Sequence, residues 1–295
     1  MIRLKFISAA AVLFAFVVVE GALAPAVAAD GKVISDIAYK TGPDLSDYEL
    51  QRCRLDLYLP AAATNFATLV WFHGGGMTGG SKNDAFTKGI ARSFAARGLA
   101  VACASYRLSP KAKFPAYIED AAAAVAWTLR NIGERGGDTN RVFVGGHSAG
   151  AYLTFMVGLD AHFLAALGVG TNALAGLVPV SGQTMTHFTV REERGLPKER
   201  IIADEAAPVF FVRRETPPML VIMGGNDWPA RAEENEYFVA AMKVAKNPGV
   251  TYLKIPDRTH GSIASKLTDA DDPGAKAVFD FIAANSATLR RDATK

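Results

Sequence analysis

Cysteine is scarce. Cys53 and Cys103 are the only two in 295 residues, too few for a disulfide-stapled scaffold, so the fold must rest on a hydrophobic core. Whether they pair is left open by the sequence. Both fall in apolar, strand-like runs, where the usual state is a buried, inert thiol. No CxxC or HExxH pattern occurs, so neither a zinc nor a redox site is expected. Histidine is limited to five residues, which makes the search for a general base short. An excess of one charge is lacking as well. The 32 Lys and Arg against 29 Asp and Glu leave a formal net charge of +3, spread along the chain, and no nucleic-acid partner is expected.

No apolar run reaches the ~20 residues that a membrane-spanning helix needs. The nearest, residues 6–19, follows Arg3 and Lys5 and leads to Ala26-Val27-Ala28-Ala29. A basic flank, a short apolar core and small residues read as a cleavable export signal over residues 1–29, cut after Ala28 or Ala29. No cysteine near the cut offers a lipid anchor, and no Arg-Arg pair marks a twin-arginine signal. The expectation is export to a bacterial periplasm or beyond, with no stable membrane anchor. Residues 30–295 are expected to form one domain, for which a 50% hydrophobic composition supplies ample core.

What is present is an alternation of strand-like apolar runs with longer helix-like segments, the pattern of a mostly parallel sheet covered on both faces. Strands are predicted at 33–39, 53–59, 67–72, 99–106, 141–145, 177–180, 219–223 and 251–255, and helices at 84–97, 116–132, from Tyr152 onward, 233–246 and 275–284. The fold class is therefore α/β, with a central sheet of about eight strands flanked by helices. A polar stretch, 183–217, interrupts the rhythm and is read as a short cap insertion. Its run Arg191, Glu192, Glu193, Arg194 is expected to be a solvated helical face.

Chemistry is concentrated where strands end. Gly146-His147-Ser148-Ala149-Gly150 follows the fifth strand directly and opens a helix. Flanking glycines there permit a sharp turn that exposes the Ser148 hydroxyl, and the helix aims its free N–H groups at a developing oxyanion. His73-Gly74-Gly75-Gly76 closes the third strand, where bare backbone N–H groups can approach a substrate oxygen. A serine hydroxyl needs a base. His73 precedes the glycines and is read as fixing their loop, His147 diverges from Ser148 as its neighbour, His162 lies in the following helix and His187 in the cap. That leaves His260, in the loop after the last strand. Gly224-Gly225-Asn226-Asp227 closes the seventh strand beside it, making Asp227 the orienting carboxylate, with Asp257 as competitor. The chain order Ser, Asp, His is that of the α/β-hydrolases.

HGGG, GHSAG, GGND and the closing RTHGS together resemble the hormone-sensitive-lipase-like carboxylesterases of the α/β-hydrolase superfamily. Leu55-Asp56-Leu57-Tyr58-Leu59-Pro60 and Ser105-Tyr106-Arg107-Leu108 are similar to the feruloyl-esterase-like and kynurenine-formamidase-like members. The resemblance covers roughly residues 50–285. It implies that Gly75, Gly76 and Ala149 donate the oxyanion-hole N–H groups while Ser148, Asp227 and His260 form the triad. His147 stands where an acidic residue is usual, and Met77 where an aromatic is common, so Met77 and the cap are expected to shape the substrate pocket. Trp228, beside Asp227, either walls that pocket or packs. The expected reaction is hydrolysis of a small-molecule carboxylic ester, of short acyl chain, through an acyl-enzyme and without metal or organic cofactor. An amidase or aryl-formamidase with the same triad and a non-catalytic binding module are the alternatives. Oligomeric state is not legible.

Overall fold

The computed structural model describes residues 31–61 and 63–292; the expected export signal lies outside the described residues. Eight strands form one sheet: β1 (Val33–Ala38), β2 (Arg54–Tyr58), β3 (Phe66–Phe72), β4 (Ala100–Ala104), β5 (Gly137–His147), β6 (Gly176–Val180), β7 (Met219–Asn226) and β8 (Val250–Thr259). Their spatial order is β1-β2-β4-β3-β5-β6-β7-β8. The β1/β2 and β2/β4 pairs are antiparallel, and the pairs from β4/β3 to β7/β8 are parallel. The helices are α1 (Asp47–Arg52), α2 (Ala85–Ala96), α3 (Ala116–Asn131), α4 (Ala149–Leu159), α5 (Ala161–Ala165), α6 (Phe188–Glu193), α7 (Arg231–Val244), α8 (Ser262–Ser265) and α9 (Pro273–Asp292). None among the described residues is long and apolar enough to cross a membrane.

Alternation along the strands divides the interior in two. Leu55, Leu57, Val70, Phe72, Val142, Val144, Val221 and Met223 face one core, built with α3, α4 and α7. Leu69, Trp71, Phe143, Leu220 and Ile222 face the other, built with α2, α8 and α9. A sheet covered on both faces needs strands apolar at every position, and β3 is buried throughout. Cys53 and Cys103 are free and buried in cores on opposite faces. Burial pushes the Cys53 thiol up to about 12, the inert state expected of it.

The eight predicted strands and the long helices are all present, with shifted ends. The fifth strand begins at Gly137 rather than Arg141 because its first residues pair with the start of β3, Phe66 opposite Gly137. The helix after the elbow begins at Ala149, and His162 belongs to a separate short helix, α5. The segment between β6 and β7 carries α6 and one 3₁₀ turn, Pro208–Phe211. Its charged run is a solvated face only in part, with Glu192 and Arg194 exposed and Arg191 and Glu193 turned inward. Arg191 is buried, and Glu193 accepts hydrogen bonds from the Phe114 N–H (2.9 Å) and the Tyr117 hydroxyl (3.3 Å).

Candidate active site

Register brings the strand ends together. Phe72 lies opposite Gly146, so the loop after β3 and the turn after β5 leave the sheet side by side. His147 lies opposite Val180, Val180 opposite Ile222, and Asn226 opposite Thr259. Ser148, Ser181, Asp227 and His260, each the next residue after its strand, therefore emerge at one edge. The crevice outside the carboxyl ends of an open α/β sheet is the usual place for a ligand.

Ser148 occupies a tight turn at φ 56°, ψ −116°, a conformation L-residues avoid and nucleophile elbows use. The turn is compressed against β3. A Cβ on Gly146 would stand 2.5 Å from the Gly150 carbonyl carbon, and one on Gly150 would stand 2.1 Å from the Phe72 oxygen, so neither position can carry a side chain without moving backbone. The Ser148 N–H donates to the Val180 carbonyl (2.9 Å), leaving the side chain free. His260 Nε2 lies 3.0 Å from Ser148 Oγ, and His260 Nδ1 lies 2.8 Å from Asp227 Oδ1. Among the described residues no other histidine ring nitrogen reaches Ser148. Asp257 is exposed on β8 and makes no hydrogen bond to His260.

The Asp227 side chain is 1% exposed. Burial alone would raise its carboxyl, but hydrogen bonds from His260, from Ser181 and from the Trp228 N–H together hold it below the ordinary value. It is thus an ionised acceptor at neutral pH. Ser181 was not marked by the sequence. Its hydroxyl bonds Asp227 Oδ2 and lies 2.8 Å from His260 Nδ1. Trp228 neither lines a closed wall nor packs into the core: it is 50% exposed, with its indole stacked on the His260 ring at 3.6 Å and 17°.

The glycine loop is braced from below. His73 is buried, stacked on Tyr106 at 4.3 Å, and Tyr106 donates its hydroxyl to the His73 carbonyl (2.8 Å). Burial pushes the His73 imidazole down to about 4, so it is neutral. Arg107 grips Asp120 of α3 at both oxygens, 2.8 Å each, fixing the strand end that carries Tyr106. The loop lies along the nucleophile, since a Cβ on Gly74 would sit 3.4 Å from Ser148 Cβ. From above, Thr189 of α6 donates to the Gly76 carbonyl (2.5 Å). Among the described residues, no acceptor meets the backbone N–H of Gly75, Gly76 or Ala149. Met77 does not shape a pocket wall. It is fully buried in the core cluster, where an apolar side chain at a tight turn gains most by leaving water.

Other groups at the strand ends are structural. His147 Nε2 lies 2.7 Å from the His260 carbonyl; burial, with the nearby His260 ring adding, pushes it down to about 4. His187 caps α6, its Nδ1 accepting from the Thr189 N–H (3.2 Å), and His162 pairs with Asp160. A cavity of about 420 Å³ lies beyond Trp228, between the α6 segment and α7, with Gln183, Met185, Arg191, Ile201, Arg231 and Tyr237 on its walls. Among the described residues, no group of three or more His, Cys, Asp or Glu is placed to hold a metal ion.

Against known families, the model of the prolyl oligopeptidase family matches residues 116–286. The chain belongs to the prolyl oligopeptidase family. That match spans the elbow, the Asp227 turn and the His260 loop, and a second model, described as BD-FAE, matches residues 55–168, which hold the glycine loop and the elbow. Relatives of this family member include esterase LipC of Mycobacterium tuberculosis, 30% identical over 57% of this chain and 46% of its own. Esterase LipQ of the same organism is 27% identical over 60% and 46%. The chain spans about half the length of these relatives. Among solved structures, a truncated carbohydrate esterase from gut microbiota superposes with a TM-score of 0.73 at 20% identity, covering 89% of this chain and 99% of that one. Esterase B of Lactobacillus rhamnosis gives 0.72 at 19%, covering 90% of each. The fold is that of the α/β-hydrolases.

Proposed function

We propose that this chain hydrolyses carboxylic esters through an acyl-enzyme on Ser148. The observation that carries the reading is the unbroken line of contacts from Ser148 Oγ through His260 to Asp227, 3.0 and 2.8 Å, beside three backbone donors that meet no acceptor among the described residues. His260 Nε2 takes the Ser148 proton as Oγ attacks the carbonyl carbon, and the N–H groups of Gly75, Gly76 and Ala149 hold the resulting oxyanion. Collapse expels the alcohol, which takes the proton from His260, and water repeats the sequence to free the acid. Charge stabilisation and proton transfer are both supplied by these residues.

A short acyl chain suits the space beside the glycine loop, where a Cβ on Gly76 would already meet Phe188 at 3.0 Å. Residues 1–29 would direct export, to a periplasm or medium, and leave no membrane anchor. N-terminal sequencing of protein recovered from the periplasmic fraction checks this: a chain starting after Ala28 or Ala29 supports it, and a retained Met1 overturns it.

The catalytic test is hydrolysis of p-nitrophenyl acetate and butyrate by wild type and three variants. Ser148→Ala and His260→Ala should lose roughly 10³–10⁶-fold in kcat/KM, and Asp227→Asn roughly 10²–10⁴-fold, with folding retained. Full activity in Ser148→Ala would defeat the assignment. Faster cleavage of an N-formyl aryl amide than of the matching formate ester would transfer the same machinery to C–N bonds.

A further inference from the structure

Ser181 follows β6 with its backbone at φ 57°, where glycine sits without strain and an L side chain does not. The position is nevertheless firmly held. Its N–H donates to the Ile222 carbonyl (2.9 Å), and its own carbonyl accepts from Arg231 Nη1 (3.1 Å). The residue is fully buried, and its hydroxyl touches both other members of the relay, Asp227 Oδ2 and His260 Nδ1. A strained, buried polar side chain at a site is the situation in which strain points to function.

We propose that Ser181 is a positioning residue of the proton relay, holding His260 in the tautomer that presents its Nε2 lone pair to Ser148. The donor assignment follows from what each atom can do. Ionised Asp227 only accepts, so Ser181 donates its hydroxyl proton to Oδ2. A Ser181 lone pair is then left facing His260 Nδ1, which also lies 2.8 Å from Asp227 Oδ1. Two acceptors meet at Nδ1, so Nδ1 carries the proton and Nε2 is free to receive the one from Ser148. When it does, the Nδ1 proton and the Ser181 proton stay where they are. Ser181 forms no bond to substrate; it fixes the ring and carboxylate that act.

The inference rests on the serine-hydrolase reading, so the test uses a fluorophosphonate, which reports an activated serine whatever the natural substrate. Labelling rates are measured for wild type, Ser148→Ala, Ser181→Gly, Ser181→Ala and Ser181→Cys from about pH 5 to 9, together with the low-field proton resonance of His260 and thermal melts. Ser181→Gly suits the backbone better than serine and removes only the hydroxyl. It and Ser181→Ala should label about 10- to 100-fold more slowly, with a displaced low-field proton and a displaced pH profile at near-wild-type melting temperature. Ser181→Cys, which keeps a weak donor, should fall between. A Ser181→Gly protein with wild-type labelling rate overturns the inference, as does slower labelling with both the low-field proton and the pH profile unmoved. An unlabelled wild type instead defeats the serine-hydrolase reading, and this inference with it.

Discussion

At the scale of single residues, two imidazoles stand with ring centroids 4.9 Å apart, yet only His260 faces the nucleophile. His147, the last residue of β5, instead turns its Nε2 to the His260 carbonyl. It is half-buried and neutral, so the Nε2 that faces the His260 carbonyl carries the proton and donates it there. That bond ties the elbow to the loop carrying the base. His147→Ala should therefore cost about 1–3 kcal/mol by leaving a buried carbonyl without a partner, and should lower kcat with KM little changed. Urea titration and ester kinetics on the same preparation check both; an unaltered kcat would mean that the loop holds itself. On its other side, the exposed indole of Trp228 covers the His260 ring. A ring pinned between a backbone bond and an aromatic face has few orientations left.

At the scale of elements, the site depends on how closely α4 approaches β3. Gly150→Ala places a Cβ 2.1 Å from the Phe72 oxygen and 2.8 Å from the His73 oxygen. Backbone atoms cannot yield as a side-chain tip would, so the helix must move. A loss of at least about 1–3 kcal/mol is expected, together with the loss of phosphonate labelling, since Ser148 rides on the same turn. Normal labelling at lowered stability would show that the elbow tolerates the shift. This crowding is also why the elbow was legible in the sequence, because a close approach leaves glycines at fixed spacing. Strands such as β3, β6 and β7 were legible for a related reason, being apolar runs bounded by glycine or proline. Helices α1, α5 and α8 were not, since four to six residues are too few to show a helical period. Ser181 escaped because its partners are 46 and 79 positions away, and only the β6/β7/β8 register brings them together. Arg191 and Glu193 were misplaced for the same reason: the donors that draw Glu193 inward belong to Phe114 and Tyr117, more than seventy residues upstream.

At the scale of the whole molecule, buried titratable groups set how the fold answers acid. Burial, the largest cause in each case, pushes His73 and His147 down to about 4 and His187 well below its ordinary value. Unfolded, all three take up protons near pH 6.5; folded, they remain neutral to much lower pH. Their contribution to stability is therefore complete above pH 6.5 and lost as pH falls toward 4. Glu234 works in the opposite sense. Burial raises it to about 7, despite Arg231 beside it, so the folded state holds its proton between pH 4.5 and 7 and gains relative stability on acidification. Three groups oppose one. Melting temperature should drop as pH is lowered from 6.5 to 4.5, and Glu234→Gln should steepen that drop; a flat profile in both proteins would refute the balance. Ser148 grows from β5, which is paired on both sides, whereas His260 hangs from β8, an outer strand whose one sheet partner among the described residues is β7. Peeling that margin would leave the nucleophile seated and carry off the group that arms it, so the long β7/β8 register, running from Met219 opposite Val250 to Asn226 opposite Thr259, is what keeps the trigger in place.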